Sequence, residues 1–244
     1  MNKKDKEGKF EILKTVVIAG LIALGFRSFL FEPFNIPSGS MVPTLLVGDY
    51  LFVSKASYGY SRYSFPLSIF PFGGRIFADV PQRGDVAVFR QPTDPAVSFI
   101  KRVVGLPGDR IQVKSGLLHI NDVTVDRKYL GLSTATNGFL RVNFKVYEET
   151  LPNGAKYLIQ ERFDDDSYDN TAVFQVPDGH YFMMGDNRDN SVDSRDPTVG
   201  FVPFRNFIGQ ADIIFWSWNK KWSWWQFWLW PNAIRFDRVF GIIK

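Results

Sequence analysis

The amino-acid sequence predicts a mostly β fold that follows one hydrophobic N-terminal helix. After Phe34, short apolar or alternating runs are separated by turn signals rich in Gly and Pro, a pattern typical of antiparallel β structure. Between these runs the sequence shows no amphipathic stretch of helix length. Near the N-terminus, by contrast, residues 15–26 form an uncharged apolar run that is typical of a buried or membrane-bound helix.

The composition limits the chemistry that the chain can perform. Its 244 residues are enough for one large or two modest domains with a real core. The absence of Cys excludes disulfide frameworks, zinc–thiolate sites and cysteine nucleophiles. The two histidines, His119 and His180, argue against a histidine-based triad or a multi-histidine metal site, and we assign neither any chemistry. The net charge of +4 is too mild to indicate nucleic acid as a partner.

The N-terminal segment is interpreted as a retained membrane anchor. Lysines precede the apolar run and Arg27 follows it. A spanning helix needs roughly 20 apolar residues, a length reached here only if Lys14 and Arg27 extend toward opposite interfaces. A cleavable signal peptide is disfavoured because no small-x-small site follows the run, and a buried core helix remains an alternative. We therefore expect a transmembrane anchor over 15–33, with residues 1–14 cytoplasmic and the rest of the chain outside.

Eight runs after the anchor are predicted as strands. They are residues 49–55, 85–90, 98–105, 110–114, 117–122, 171–177, 180–186 and 210–216. The region near 115–178 is more polar than its surroundings and includes an acidic patch at 164–166. We interpret residues 112–176 as an inserted sub-domain with a solvated loop.

All seven Trp fall within residues 215–230. Trp prefers the membrane–water interface, where its ring is apolar and its N–H stays hydrated. We therefore predict that residues 215–244 form a membrane-interface segment and a C-terminal tail, with the aromatic stretch 58–77 on the same face. The alternative is that some of these rings pack in the core or at a protein interface.

Two serines around a glycine, Ser38 and Ser40, stand between the apolar segment and the first predicted strand. A serine hydroxyl is a poor nucleophile at its ordinary pKa and needs an adjacent base. Because His is scarce, that base can be a neutral lysine, as in Ser–Lys variants of the catalytic triad. Burial favours the neutral form by desolvation. Lys101, among the apolar residues of a predicted strand, is the candidate, although a solvated lysine is the commoner outcome.

Two other motifs are set aside. Residues 98–101 match the S-x-x-K motif of penicillin-binding proteins, but that motif needs a helix and partner motifs that this sequence lacks. The acidic stretch 185–197 suggests calcium, but the EF-hand pattern fails in every frame. Because Arg188 and Arg195 supply opposite charges, we predict a turn held by Asp–Arg pairs and no metal site.

Four segments together resemble bacterial type I signal peptidase (leader peptidase), a family of membrane-bound Ser–Lys endopeptidases. They are PSGSMVPTL (37–45), RGDVAVF (83–89), FIKRVVGLPGD (99–109) and GDNRDNSVDSR (185–195). Their order and separations agree with the family, as does the N-terminal anchor, and the combination is highly specific. The resemblance is close over 34–111 and 177–211, whereas 112–176 matches only as the family's variable second domain.

The resemblance implies a fold and roles for individual residues. The fold is an N-terminal transmembrane helix followed by an all-β catalytic domain of coiled antiparallel sheets (34–111 and 177–214) with an inserted β sub-domain. Ser40 would be the nucleophile and Lys101 the general base, and the oxyanion hole would use the Ser38 hydroxyl and the Ser40 N–H. Ser191 would orient the lysine by a hydrogen bond. The supporting salt-bridge network would comprise Asp193, Arg195, Asp186 and Arg102. Shallow apolar substrate pockets would be lined by Phe34, Ile36, Met41, Leu45 and Ile100.

The resemblance also implies an activity: removal of N-terminal signal peptides from exported preproteins by acyl transfer, after small-x-small sites, without metal or organic cofactor. The implied partners are signal peptides, the lipid bilayer and the export machinery, but not nucleic acid. The implied location is the bacterial inner (plasma) membrane, single-pass, with the catalytic domain periplasmic.

Two other functions remain as alternatives. One is a catalytically inactive membrane-anchored β domain that binds exported chains, which would not explain why Ser40 and Lys101 are both present. The other is a self-cleaving Ser–Lys regulator, which would be expected to carry a DNA-binding helical domain where this chain has an apolar segment.

Overall fold

The computed structural model of the chain describes residues 3–64, 74–137, 140–219, 228 and 230–243. The α-helices are α1 (Lys3–Phe29) and α2 (Trp230–Ala233). The strands are β1 (Phe31–Asn35), β2 (Asp49–Ser54), β3 (Val86–Arg90), β4 (Ser98–Gly105), β5 (Arg110–Lys114), β6 (Leu117–Ile120), β7 (Val123–Thr124), β8 (Asp126–Asn137), β9 (Leu140–Thr150), β10 (Lys156–Glu161), β11 (Phe174–Gln175), β12 (His180–Met184), β13 (Val202–Pro203), β14 (Phe207–Ser217) and β15 (Gly241–Ile242). Antiparallel pairing joins these strands into three sheets, so the predicted mostly β fold is confirmed.

The largest sheet has the strand order β1-β2-β14-β3-β4-β12-β13, with β15 paired to β14. Its central strands β3 and β4 bury residues 86–89 and 101–105, because apolar clusters cover them on both faces, whereas 98–100 at the start of β4 are only partly buried. β4 pairs with β3 over all of residues 98–102, but with β12 only at Arg102, Val103 and Gly105. Within the described chain, residues 98–101 therefore have no strand partner on the β12 side.

Two smaller sheets come from the region between β4 and β12. One has the order β11-β5-β6-β7 and the other β10-β9-β8. Strands from the two ends of this region pair with each other, since Phe174 lies opposite Ile111. The long hairpin of β8 and β9 lies within the region 112–176 that the sequence predicted as an inserted sub-domain, in a stretch where no individual strand was predicted. β8 carries charged residues on both faces, which obscures its apolar alternation, whereas β9 alternates between apolar and polar residues over 140–146.

Helix α1 is attached to the largest sheet at its C-terminal end. The Lys55 Nζ donates a hydrogen bond to the Arg27 carbonyl at 2.9 Å, and the Tyr60 hydroxyl donates to the Phe29 carbonyl at 2.6 Å. Apolar side chains of α1, including those of Leu21 and Ile22, are exposed. In the part of the chain that the structure describes, no helix combines the length and the apolar character needed to cross a bilayer. The transmembrane nature of the predicted anchor is therefore not confirmed, and residues 31–33 of its predicted span belong to β1.

The predicted membrane-interface segment is described only in part. Residues 220–227 and 229 lie outside the described residues, as do 65–73 of the aromatic stretch 58–77. Residues 215–217 belong to β14, and the rings of Trp218 and Trp230 pack edge-to-face at 5.9 Å. Contact of this segment with lipid stays a prediction.

Candidate active site

The loop between β1 and β2 carries the predicted nucleophile. Its ends are closed by backbone hydrogen bonds between Ile36 and both Asp49 and Gly48. Three apolar side chains fix the loop because they are buried in the core beneath it: Ile36, Met41 and Leu45. Ser40 lies within this loop and is itself 8% exposed.

The predicted base lies on β4, next to this loop. Lys101 is opposite Ala87 of β3 and is 3% exposed. Its Nζ lies 2.5 Å from the Oγ of Ser40, within hydrogen-bonding distance. The structure thus brings together the two side chains that were predicted to act as nucleophile and base.

Burial lowers the pKa of Lys101 to about 8, because desolvation disfavours the ammonium form. The carboxylates of Asp193 and Asp186 raise this pKa in part, and the guanidinium of Arg195 lowers it. Among the described residues Lys101 makes no ion pair. Lys55 is a useful contrast: it is equally buried, but Glu32 holds its ammonium group at 2.8 Å, so it is a structural cation rather than a candidate base.

Two buried ion pairs surround the lysine. The Arg102 guanidinium donates to both carboxylate oxygens of Asp186 at 2.9 and 2.7 Å, and Arg195 donates to both of Asp193 at 2.9 Å. Burial opposes ionisation of Asp193, but Arg195 holds its pKa below the usual value. Because each carboxylate has its own guanidinium partner, the pairs surround Lys101 with little net charge, and desolvation decides its pKa.

Two residues that the sequence analysis did not single out tie the nucleophile loop to the 185–195 segment. Asn187 donates from its backbone N–H to the Ser40 carbonyl at 3.1 Å and from its side chain to the Gly39 carbonyl at 2.9 Å. Thr44 donates to Asp186 at 2.5 Å. Asn187 stands in the last of the four segments, but one sequence offers no signal that it contacts a loop 148 residues earlier.

The two other predicted serines make fewer contacts than expected. Ser38 is exposed in the nucleophile loop and has no side-chain hydrogen bond to any described residue. The Ser191 Oγ is buried and likewise lacks a hydrogen-bond partner of good geometry in the described chain. The expected hydrogen bond between Ser191 and Lys101 is therefore not formed here. Gly185 lies directly against Ser191 and Ser40, and a Cβ on it would fall 2.1 Å from the Ser191 Oγ.

The five predicted substrate-lining residues pack in one cluster, but they differ in exposure. Met41 and Leu45 are completely buried and Ile36 is 2% exposed, because these side chains anchor the loop. Phe34 and Ile100 are only partly buried at the edge of the cluster. Of the five, only Phe34 and Ile100 are partly exposed, and the other three are buried in the same cluster.

The site combines a hydroxyl and a buried amine with two carboxylates. Its carboxylates are engaged by guanidinium groups, and within the described ranges no three metal-ligating side chains cluster. A hydroxyl 2.5 Å from an amine of depressed pKa can transfer its proton and attack a carbonyl carbon.

Comparison with known proteins identifies a family for the chain. The sequence model of a family described as signal peptidase, peptidase S26, matches residues 9–216. Signal peptidase I of Rickettsia typhi is 44% identical to this chain over 238 residues, covering 90% of this chain and 88% of that protein. Signal peptidase I of Rickettsia canadensis is 44% identical over 246 residues, covering 93% and 91%.

A solved structure also matches. It is the crystal structure of a signal peptidase I from Enterococcus faecalis V583, 23% identical, covering 54% of this chain and 97% of that chain with a TM-score of 0.31.

Proposed function

The chain belongs to the signal peptidase family, peptidase S26, and is an endopeptidase that removes signal peptides; we propose that Ser40 and Lys101 carry out the cleavage. The observation that carries this proposal is the 2.5 Å approach of the Lys101 Nζ to the Ser40 Oγ, with both residues buried. No other function is favoured by a comparable observation.

In the proposed reaction the neutral Lys101 amine accepts the proton of the Ser40 hydroxyl as the Oγ attacks the scissile carbonyl carbon. The resulting oxyanion is stabilised by the Ser40 N–H and by the Ser38 hydroxyl, which is free to turn toward it. The C–N bond then breaks, and the Lys101 ammonium returns its proton to the departing amine of the mature protein. Water, deprotonated by Lys101, hydrolyses the acyl-enzyme and releases the signal peptide as a carboxylic acid.

The proposed substrate binds in an extended conformation. The unpaired edge of β4 at residues 98–101 offers backbone groups to an added strand immediately beside Lys101. Phe34 and Ile100 provide shallow apolar surface there, and the buried side chains below leave little depth. Such a surface favours small side chains and rejects larger ones by steric clash, which supports cleavage after small-x-small sequences.

The decisive experiment is cleavage of a preprotein with an Ala-x-Ala site, in detergent, by the parent chain and by the Ser40→Ala and Lys101→Ala variants. We expect both variants to be folded and inactive, while the matched controls Ser217→Ala and Lys55→Met, which remove another buried serine and lysine, still cut. If either active-site variant cuts as well as the parent, the proposed dyad is wrong. If the parent binds the preprotein without cutting it, the inactive binding domain becomes the better account.

We further propose that the chain is attached to the bacterial plasma membrane through α1, single-pass, with the N-terminus cytoplasmic, where the bilayer and export machinery are neighbours. The exposed apolar side chains of α1 and the lysines before them support this arrangement. Alkaline carbonate extraction of cells should leave the full chain in the membrane pellet. Protease added outside intact spheroplasts should degrade the β domain. Release by carbonate, or full protection from the protease, would contradict the arrangement.

A further inference from the structure

We infer that Glu149, on β9 of the inserted region, is a positioning residue for the active site and acts through Arg188. The inference rests on the proposed function, because it concerns how Ser40 and Lys101 are held in place. Its consequence is that the sheet β10-β9-β8 is part of the catalytic scaffold.

The contact between the inserted sheet and the 185–195 segment is a buried, charged cluster. The Arg188 guanidinium donates to both carboxylate oxygens of Glu149, to Oε1 at 2.9 Å and to Oε2 in a shorter bond. Tyr157 lies opposite Glu149 on the neighbouring strand β10, and its hydroxyl donates to the Glu149 Oε2 at 2.6 Å. The side chains of Arg188 and Glu149 are 3% and 1% exposed. A buried bidentate pair of this kind fixes both partners in position as well as in charge.

Arg188 passes this restraint to the groups around the lysine. Its backbone carbonyl accepts a hydrogen bond at 2.7 Å from Arg195, which in turn holds Asp193. It also follows Asn187 directly, and Asn187 bonds to the Ser40 carbonyl. The backbone of β10 adds to the restraint, since the Gln160 N–H donates to the Asp186 carbonyl at 2.9 Å.

The same cluster reaches the strand that carries Lys101. The Arg102 guanidinium lies 4.2 Å from the centre of the Tyr157 ring. The edge of the same guanidinium donates a hydrogen bond to the Asp186 carboxylate. The face of the Tyr157 ring therefore packs against Arg102, and the Tyr157 hydroxyl donates a hydrogen bond to Glu149. Loss of the Glu149 charge would leave the Arg188 cation buried beside this network without the carboxylate that neutralises it, and the 185–195 segment would have to move.

The inserted sheet provides a matched control pair. Glu161 on β10 accepts from Arg127 in the same bidentate manner, at 2.7 Å for each bond, and the two side chains are 6% and 12% exposed. Among the described residues, Glu161 has no hydrogen bond to the 185–195 segment. A variant at Glu161 therefore removes a comparable buried charge from the same sheet, one that acts on the pKa of Arg188 only through space and without a hydrogen bond to it.

The test compares Glu149→Gln with Glu161→Gln in the cleavage of a soluble peptide that contains an Ala-x-Ala site. We expect Glu149→Gln to lower kcat by about 10- to 100-fold with KM within about twofold, because small displacements of catalytic groups have effects of this size. The acid limb of its pH–rate profile should move, since displacement of the 185–195 segment shifts Asp186, Asp193 and Arg195, the charges that act on the pKa of Lys101. Glu161→Gln should keep the parent kcat and pH profile even if its melting temperature falls.

A parent-like kcat, an unmoved acid limb, or an equal loss of kcat in the two variants would overturn the inference. If Glu149→Gln does not fold, Tyr157→Phe replaces it as the test variant. Tyr147→Phe is then the control, because the Tyr147 ring stacks on Arg127. Tyr157→Phe should then lower kcat severalfold, and a parent-like kcat would overturn the inference. Ser40→Ala in the same assay distinguishes failure of the proposed function from failure of the inference about Glu149. If Ser40→Ala cuts the peptide, the proposed function is wrong. If Ser40→Ala is inactive while Glu149→Gln has the parent kcat, only the inference is wrong.

Discussion

The Nζ of Lys101 lies 2.5 Å from the Oγ of Ser40, although 61 residues separate them in the chain. The two are brought together because the loop that carries Ser40 is anchored in the core by Met41 and Leu45, and β4 passes beside it. Neither side chain has another hydrogen-bond partner among the described residues, which leaves this contact available for the proton transfer that we propose.

Activity should depend on pH through the lysine. Since burial lowers the pKa of Lys101 to about 8 and the base must be neutral, kcat/KM should fall about tenfold per pH unit below that value. The profile should be measured from about pH 5 to 10 with a substrate that does not titrate in this range. An acid limb with a midpoint below about pH 6 would show that another group acts as the base.

Replacement of the lysine should stabilise the fold at neutral pH. Unfolding returns the pKa of Lys101 from about 8 to the ordinary lysine value of 10.5, so below pH 8 the buried ammonium costs about 3 kcal/mol of stability. That cost is fully present below the folded pKa and disappears as the pH rises through 10.5. Lys101→Met should therefore be inactive but more stable to urea than the parent at pH 7. The difference should shrink by pH 10, and a constant difference would contradict the lowered pKa.

A side chain at Gly185 should abolish activity. The Cβ of Gly185→Ala would fall 2.1 Å from the Ser191 Oγ and 2.6 Å from the Ser40 carbonyl oxygen, closer than any real contact. The nucleophile loop or Ser191 must shift, and we expect kcat to fall about 100-fold or more. Gly74→Ala is the control, because no atom of the described residues lies within 4 Å of its added Cβ. Activity of Gly185→Ala within a factor of three of the parent would show that the site tolerates this shift.

The side chain of Asn187 should matter for rate more than for binding. Asn187→Ala removes the hydrogen bond to the Gly39 carbonyl, and we expect kcat to fall about tenfold because the nucleophile loop loosens. Asn206→Ala is a matched control: this residue is equally buried, at 4%, and its side chain donates to the Arg90 carbonyl at the same 2.9 Å. Both variants should lose similar stability in a thermal melt, but Asn206→Ala should keep kcat. Equal kcat values for the two variants would show that the Asn187 side chain does not support the active site.

The sequence predicted the strands whose apolar residues recur without interruption. β2, β3, β4, β12 and β14 lie where the apolar runs predicted strands, since burial on a sheet requires such runs and makes them visible locally. β8, β9 and β10 were not among the predicted runs: β8 carries charges on both faces, and the alternation of apolar and polar side chains over 140–146 in β9 was not singled out. The sequence also singled out Ser40 and Lys101, through residue types and spacing that resemble a known family.

The sequence by itself therefore determined the class of fold, the candidate nucleophile and base, and the turn of Asp and Arg residues that supports them. Only the tertiary structure decided that Lys101 is buried without a carboxylate partner, that Asn187 bonds to the Ser40 loop, and that Glu149 and Tyr157 of the inserted sheet support the same segment. The physical reason is that apolar periodicity is a property of neighbouring residues. Desolvation and hydrogen bonding depend instead on every group that the fold brings within a few ångströms, and here those groups come from distant parts of the chain.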